Sequence, residues 1–343
     1  MAIPKVMGTE TEFGITVRHD PQFDPISSSI LLVNSYLQNS SASILWDYDL
    51  ENPLADARGF ELDEEITPPS QKENLAINKI LTNGARYYVD HAHPEFSTPE
   101  SLSPRGVVLY EKAGERIVDF SRRNANQVLP PGQEMLIYKN NSDRKGNSYG
   151  AHENYLVDRA TPFQRICDQF IPFLISRQIY TGAGKVGGEN GTEPCAFQIS
   201  QRADFFETEI GLDTMAKRPI INTRDEPHAD KKKYRRLHVI VGDSNMSEYT
   251  IYLKMGVTAI ILQLIEDGLL PDSFALRHPV NAMREVSRDL TCHRPLQLDN
   301  GKRWSALQIQ VEYLNLARRY LQESSAGAEM HEVLDKWEAT LQA

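Results

Sequence analysis

Short segments with two-residue alternation or β-branched content fall at 5–16, 86–90, 134–139, 148–157, 193–198 and 237–241. Between them lie longer stretches whose apolar residues recur every three to four positions, at 29–38, 110–128, 162–180, 250–267, 305–323 and 329–341, and these read as helices. The two kinds of segment do not alternate as regular βαβ units. The order therefore predicts an α+β fold in which helices cover a sheet from one side. A length of 343 residues suits one large domain or two unequal ones. Residues 46–70, WDYDLENPLADARGFELDEEITPPS, form a charged, turn-rich stretch longer than most structureless connections, so a functional or mobile lid is expected there.

The strands carry the reactive side chains. In NGARYYVDHAHPEFSTPE (83–100), alternation places Arg86, Tyr88 and Asp90 on one face, delivering a cation, a phenol and a carboxylate to one surface. A fold rarely needs that trio together, whereas a charged substrate does. GTETEFG (8–14) puts Glu10 and Glu12 on a shared face. Such a pair suits either a solvated edge strand or a hard cation such as magnesium held between the carboxylates. SYGAHENY (148–155) holds His152 and Glu153, which face opposite sides of a regular strand; His152 suits a structural hydrogen bond or a ligand. A polar loop feeding a strand, with Arg218, Arg224, His228, Arg235, Arg236, His238, Asp243 and Asn245 around it, suits phosphate recognition, because guanidinium forks match phosphate oxygens. Lys231 to Lys233 read as a solvated basic run.

Several classes are excluded. A hydrophobic fraction of 40% with 24% charged residues is that of a globular protein, which disfavours disorder, collagen and coiled coil. The formal net charge of -10 argues against a nucleic-acid binder yet leaves room for a nucleotide held by a few focused cations. TGAGKVGGENG (181–191) lacks the first glycine of a P-loop and the hydroxyl after its lysine, so it reads as a turn. Cys167, Cys195 and Cys292 are odd in number and widely spaced, which predicts a reducing compartment rather than zinc or a redox dithiol. A cysteine hydrolase built on Cys195 is a distant alternative to a buried thiol. The N-terminal MAIPKVMGTETEFG meets acidic residues before an apolar core forms, and the apolar stretch 252–270 is too polar and short for a membrane span. A cytoplasmic protein with no membrane and no nucleic-acid partner is expected.

Taken together, GTETEFG, NGARYYVDHAHPE, KNNSDRKGNSYGAHENY, RPIINTRDEPHAD and RRLHVIVGDSNMSE resemble the Pup ligase and Pup deamidase/depupylase family, relatives of glutamine synthetase and other carboxylate-amine ligases. They occur in that family's order over nearly the whole chain. The resemblance implies a glutamine-synthetase-like catalytic core, a curved antiparallel sheet flanked by helices that cradles ATP and magnesium. It further implies a single catalytic domain over 1–343, with 46–70 as a mobile loop insert, 305–343 as terminal helices, and the family's smaller C-terminal domain absent. The insert WDYDLENPLADARGF and the run YVDHAHPE (88–95) resemble the deamidase/depupylase branch. The ligase runs almost directly from its first strand to NGAR and carries a valine-glycine-serine run after the aspartate. GDSNMSE, by contrast, reads like the ligase.

By the same resemblance, Asp90 matches the family's catalytic aspartate, a general base or nucleophile. Glu10, Tyr88 and Glu95 match magnesium-associated positions, His152 and His238 further positions around the metals, and Arg86 and Thr98 ATP-contacting positions. Glu12, Glu100, Glu153, Arg218 and Arg236 enter by proximity within the motifs, with Glu153, Arg218 and Arg236 assigned to the nucleotide. The implied reaction converts the terminal glutamine of Pup to glutamate, or releases Pup from a target lysine, with ATP bound but not consumed. Pup and pupylated proteins are the implied partners. An ATP-consuming Pup ligase and a catalytically silent Pup- and ATP-binding homologue are the alternatives.

Overall fold

In the computed structural model, which describes residues 2–36, 44–63, 67–214, 217–271, 274–323 and 327–343, ten strands of three or more residues are found. They are β1 (Met7–Glu12), β2 (Gly14–Arg18), β3 (Asn78–Ile80), β4 (Arg86–Asp90), β5 (His93–Ser97), β6 (Glu134–Tyr138), β7 (Ala151–Asp158), β8 (Phe206–Gly211), β9 (Arg218–Asn222) and β10 (Tyr234–Val239). Six of them form one sheet in the order β10-β7-β1-β5-β4-β3, every neighbouring pair antiparallel. The helices are α1 (Pro25–Asn34), α2 (Gln71–Ile77), α3 (Pro104–Ala125), α4 (Phe163–Ser176), α5 (Gln178–Thr181), α6 (Glu248–Glu266), α7 (Pro279–Arg288), α8 (Ala306–Glu323) and α9 (Ala328–Gln342). The fold is thus mixed α/β with a mainly antiparallel sheet.

Helices cover one face of that sheet, because alternate residues of its strands are apolar on that side. Tyr155, Val157, Leu237 and Val239 pack into a core with α4, α6, α8 and α9, while Tyr87, Val89 and Phe96 pack under α1 and α3. α3 buries Val107, Gly114, Val118, Ser121 and Ala125, a single stripe at helical spacing. At Gly114 an added Cβ would lie 2.4 Å from the Phe96 ring, so only glycine lets α3 sit this close to β5. α6 is buried on nearly every side. It is the one helix among the described residues long and apolar enough to cross a membrane, and it serves as the central core helix.

The segments expected at 134–139, 148–157, 250–267, 305–323 and 329–341 appear with ends shifted by a few residues. Others differ in kind. The strand expected at 5–16 is two strands: at Phe13 the backbone N–H turns to Pro94 O (2.9 Å), and β2 leaves the main sheet to pair with β6. The helix expected at 110–128 begins at Pro104, where the Ser103 hydroxyl caps the N–H of Gly106 and proline occupies the first turn. The one expected at 29–38 begins at Pro25 under an Asp24 cap and ends at Asn34; residues 37 and 38 lie outside the described residues. The strand expected at 193–198 shrinks to Phe197–Gln198. β5, the parallel pair β8 and β9, α2 and α7 were not anticipated.

Candidate active site

The uncovered face of the sheet lines a cavity of about 2070 Å³. Register places its polar side chains in two rows. Glu12 pairs with Glu95 and Glu95 with Tyr88; one step along, His152 pairs with Glu10, Glu10 with Ser97 and Ser97 with Arg86. A one-residue slip of any strand would turn its members of both rows into the helical core.

Negative charge gathers along the first row and at the adjacent Asp90, which pairs with His93. Glu12, Asp90 and Glu95 each offer a carboxylate oxygen, all within 4.8 Å of one another. Glu12 accepts the Gly150 N–H (2.7 Å) and meets His93 Nδ1 at 3.3 Å. Against the effect of burial, the His93 hydrogen bond, the His152 charge and the Gly150 N–H hold Glu12 below the usual carboxylate range. Glu95 is 2% exposed, and its Oε1 has no hydrogen-bond partner among the described residues. Burial, followed by the charges of Asp90, Glu12 and Glu10, pushes its carboxyl well above the usual range. A buried carboxylate oxygen without a donor, facing two more carboxylates, fits a hard cation with oxygen ligands such as magnesium. Asp90 differs from its neighbours in access: its side chain is 40% exposed and contacts His91 Nδ1 at 2.9 Å. Tyr88 accepts from Ser97 Oγ (3.3 Å), and burial beside Glu95 keeps its phenol protonated.

The second row gathers mixed ligands. Glu10, His152 and His238 also bring one donor atom each within 4.8 Å. Glu10 meets His152 Nδ1 at 3.2 Å and accepts from Asn154 (2.8 Å) and Arg236 (3.2 Å). Burial would raise its carboxyl, yet His152, His238 and Arg236 together hold it well below the ordinary range. Burial pushes the His238 imidazole well below its usual value, so it is neutral at pH 7. Its Nδ1 lies 2.9 Å from Asn154 Oδ1, an acceptor, which leaves the Nε2 lone pair for a cation. Two imidazoles and a carboxylate suit a second divalent cation.

Positive charge sits around the rim. Arg236 also donates to Asn154 Oδ1 (3.0 Å) and Glu226 (3.1 Å), and Arg218 donates to Thr214 O (2.8 Å). Thr98 lines the cavity while its Oγ1 accepts the Thr9 N–H at 3.0 Å, joining β1 to the end of β5. Glu100 is exposed at the margin.

The expected insert reaches this rim. The Arg86 guanidinium lies 4.0 Å from the ring centres of both Trp46 and Tyr88, and it donates to Asn78 (2.8 Å) and Glu51 (3.2 Å). Trp46 is held by both backbone groups to the Asn74 side chain. Further along, Ala57 N–H bonds Thr223 O (2.7 Å) and Asp225 N–H bonds Ala55 O (2.9 Å). There the Asp56 carboxylate accepts Thr223 Oγ1 (2.6 Å) and a bidentate Arg58 (2.8 and 2.7 Å). Residues 64–66 of the insert lie outside the described residues.

Twelve of the thirteen residues singled out as nucleotide, metal, catalytic or neighbouring positions, counting Glu12 and Glu100 with the rest, line the one cavity; Glu153 does not. Glu153 faces the helices, 1% exposed, and forms a fully buried ion pair with Arg177 (2.6 Å) while accepting from Tyr155 Oη (2.7 Å). It is corrected from a nucleotide contact to a core residue. The physical reason is alternation: on β7 His152 and Asn154 face the cavity, so Glu153 cannot. Arg86 keeps its place in the cavity, but its donors are engaged by Asn78 and the insert. Asn154, His93 and Glu226 were missed. Asn154 could have been found from its two-residue spacing to His152, whereas His93 and Glu226 depend on long-range pairing.

Comparison with known proteins places this arrangement. The model of a family described as Pup-ligase protein matches residues 5–343. A depupylase of Acidothermus cellulolyticus is 53% identical, over 98% of this chain and 69% of its own length. A Pup deamidase/depupylase of Mycolicibacterium smegmatis is 46% identical, over 97% of this chain and 68% of its own. Among solved structures, the complex between Pup and its ligase PafA matches with a TM-score of 0.79 at 34% identity, covering 99% of this chain and 63% of the ligase chain. PafA in complex with ADP matches with a TM-score of 0.71 at 37% identity, covering 83% of this chain and 67% of that one.

Proposed function

The chain belongs to the Pup-ligase protein family, and from that premise we propose that it is a Pup deamidase and depupylase. It hydrolyses a carbon–nitrogen bond at the C-terminus of Pup. Water adds its hydroxyl to the terminal side-chain carbonyl, and the nitrogen leaves with the proton, as ammonia from glutamine or as the ε-amine of a target lysine. The observation that carries the reading is the match to depupylases together with an exposed Asp90 set against buried Glu12 and Glu95. Of the three clustered carboxylates, Asp90 is the one that a substrate approaching from solvent can touch.

Within this proposal the fold is a glutamine-synthetase-like core acting as one catalytic domain, with the insert at 46–70 over the cavity and the helices of 305–343 at its end. ATP is the proposed nucleotide, bound and not consumed, with Arg218, Arg236 and Thr98 along its cavity. Glu12, Glu95 and Asp90 would hold one magnesium and Glu10, His152 and His238 a second cation, with Tyr88 and Arg86 beside them. Such cations supply Lewis-acid polarisation of carbonyl or phosphoryl oxygens. Asp90 takes the proton from water or attacks the carbonyl itself; either way it must be ionised and reachable, as its exposure allows. A cytoplasmic setting is proposed with Pup and pupylated proteins as partners.

The test is one assay of the purified chain with glutamine-ended Pup, ATP and magnesium, following ammonia and ADP together. Ammonia without matching ADP is expected. Asp90→Asn should lower ammonia release about a thousandfold, within the range for a general base, with ATP affinity retained. A second reading, an ATP-consuming ligase, is favoured by GDSNMSE and by the fold shared with PafA. It would give ADP in step with Pup–lysine conjugate from glutamate-ended Pup, and no ammonia.

A further inference from the structure

The run GDSN at 242–245 contributes to neither cation cluster, yet it is densely bonded beside the cavity. Asp243 is 1% exposed. Its Oδ2 accepts the N–H groups of Ala183 (2.7 Å) and Gln201 (2.8 Å), and its Oδ1 accepts the Ser200 hydroxyl (2.9 Å) and the Arg202 N–H (3.2 Å). One buried carboxylate thus organises three consecutive residues, 200–202. The same loop receives the Arg202 side chain: Nη1 donates to Ile240 O (2.8 Å) and Gly242 O (2.6 Å), while Nε donates to Ser148 Oγ (2.8 Å). Gly242 stands at φ +135°, and an added Cβ would lie 3.3 Å from the Arg177 guanidinium, so the turn that offers this carbonyl requires glycine.

Arg202 is 2% exposed and lines the cavity. Its neutral oxygen partners leave it without a carboxylate in ion-pair contact among the described residues, and Nη2 has no partner there. Burial, with Arg218 nearby, pushes its guanidinium down to about 10. A buried cation paired with no anion is costly unless a ligand completes it. We propose that Asp243 is a positioning residue: through the backbone of 200–202 it holds Arg202 with a free guanidinium nitrogen aimed into the cavity, where it takes an anionic oxygen of the bound nucleotide. Aspartate is required because four donors converge on it. An asparagine would point its own N–H groups at one pair of them and leave that pair orphaned.

This inference rests on the nucleotide part of the proposed function and is separable from the hydrolase part. ATP affinity, measured by titration calorimetry with magnesium, is compared for the native chain, Arg202→Ala, Asp243→Asn and the double variant. Each single change should weaken ATP about tenfold or more, the loss of one charge-assisted hydrogen bond, and the double variant should match Arg202→Ala. A purely structural Asp243 would give losses that multiply in the double variant, or unchanged affinity in Asp243→Asn; either result overturns the proposal. If Asp243→Asn does not fold, Ser200→Ala loosens the same web, and its smaller loss, about threefold, must vanish in the Arg202→Ala background. No ATP affinity in the native chain would also overturn it. ATP binding with a non-additive cycle but no ammonia from glutamine-ended Pup would overturn the hydrolase reading and leave the Arg202–Asp243 pairing standing.

Discussion

Glu95→Gln is the sharpest probe of the carboxylate cluster. Within the 4.8 Å that bounds their ligand oxygens, two ionised carboxylates repel by about 3.5 kcal/mol or more at an effective dielectric constant of about 20. Three such charges cannot all persist without a cation, and the buried Glu95 is the one that keeps its proton. Its folded-state value lies above its unfolded one, about 4.3, so the folded chain binds a proton that the unfolded chain has lost. The contribution is therefore fully present below about pH 4.3 and is lost as pH rises through the folded value, at up to about 1.4 kcal/mol per pH unit. Glutamine carries no such proton, and the Glu12 and Asp90 oxygens can accept from its amide.

In chelator, the stability gap between Glu95→Gln and the native chain should then widen with pH, by up to about 2.7 kcal/mol between pH 5.5 and 7.5. Taking the difference removes the contributions of His238 and other groups that both proteins share. Excess magnesium should raise the native chain's urea midpoint and close the gap, and should move the variant far less. A gap that stays constant with pH, or magnesium stabilising both proteins equally, would refute the cluster as a cation site.

Glu153→Gln should lower stability by about 3–5 kcal/mol by stranding the buried Arg177 charge, read as a shifted urea midpoint, with ATP affinity within about twofold of native; weakened ATP binding at native stability would return Glu153 to the nucleotide. The double change Glu153→Met with Arg177→Met should recover most of that loss. Trp46→Ala removes one face of the Arg86 stack, worth about 1–2 kcal/mol, and should speed tryptic cleavage at Arg58. An unchanged cleavage rate would mean that the insert is held by its Asp56 clasp instead.

Alternation made much of the site legible. Glu10 with Glu12, and Arg86 with Tyr88 and Asp90, share a face in the sequence and share the cavity in the fold. The same rule, applied strictly, forbids His152 and Glu153 from serving one site together, and the Arg177 pair shows which of them turns inward. β5 was hidden because His93, Pro94 and Glu95 look unlike a strand; they become one through pairing with β1 and β4. Ser103 and Pro104 were a readable helix start that apolar spacing alone passed over. The insert's engagement with Arg86 had no local signal, since it joins residues far apart in the chain.

By itself, then, the sequence determined which side chains each strand can present together and, through its motifs, the family to which the chain belongs. Both are local properties: side-chain direction follows from backbone period, and motifs are read residue by residue. Only the tertiary structure decided which faces meet. Strand order and register bring Glu12 beside Glu95 and Glu10 beside His152, and a turn at Gly242 sets Asp243 behind Arg202. These partners are fixed by hydrogen-bond ladders and core packing between distant segments, whose cost and reward exist only when the whole sheet has formed.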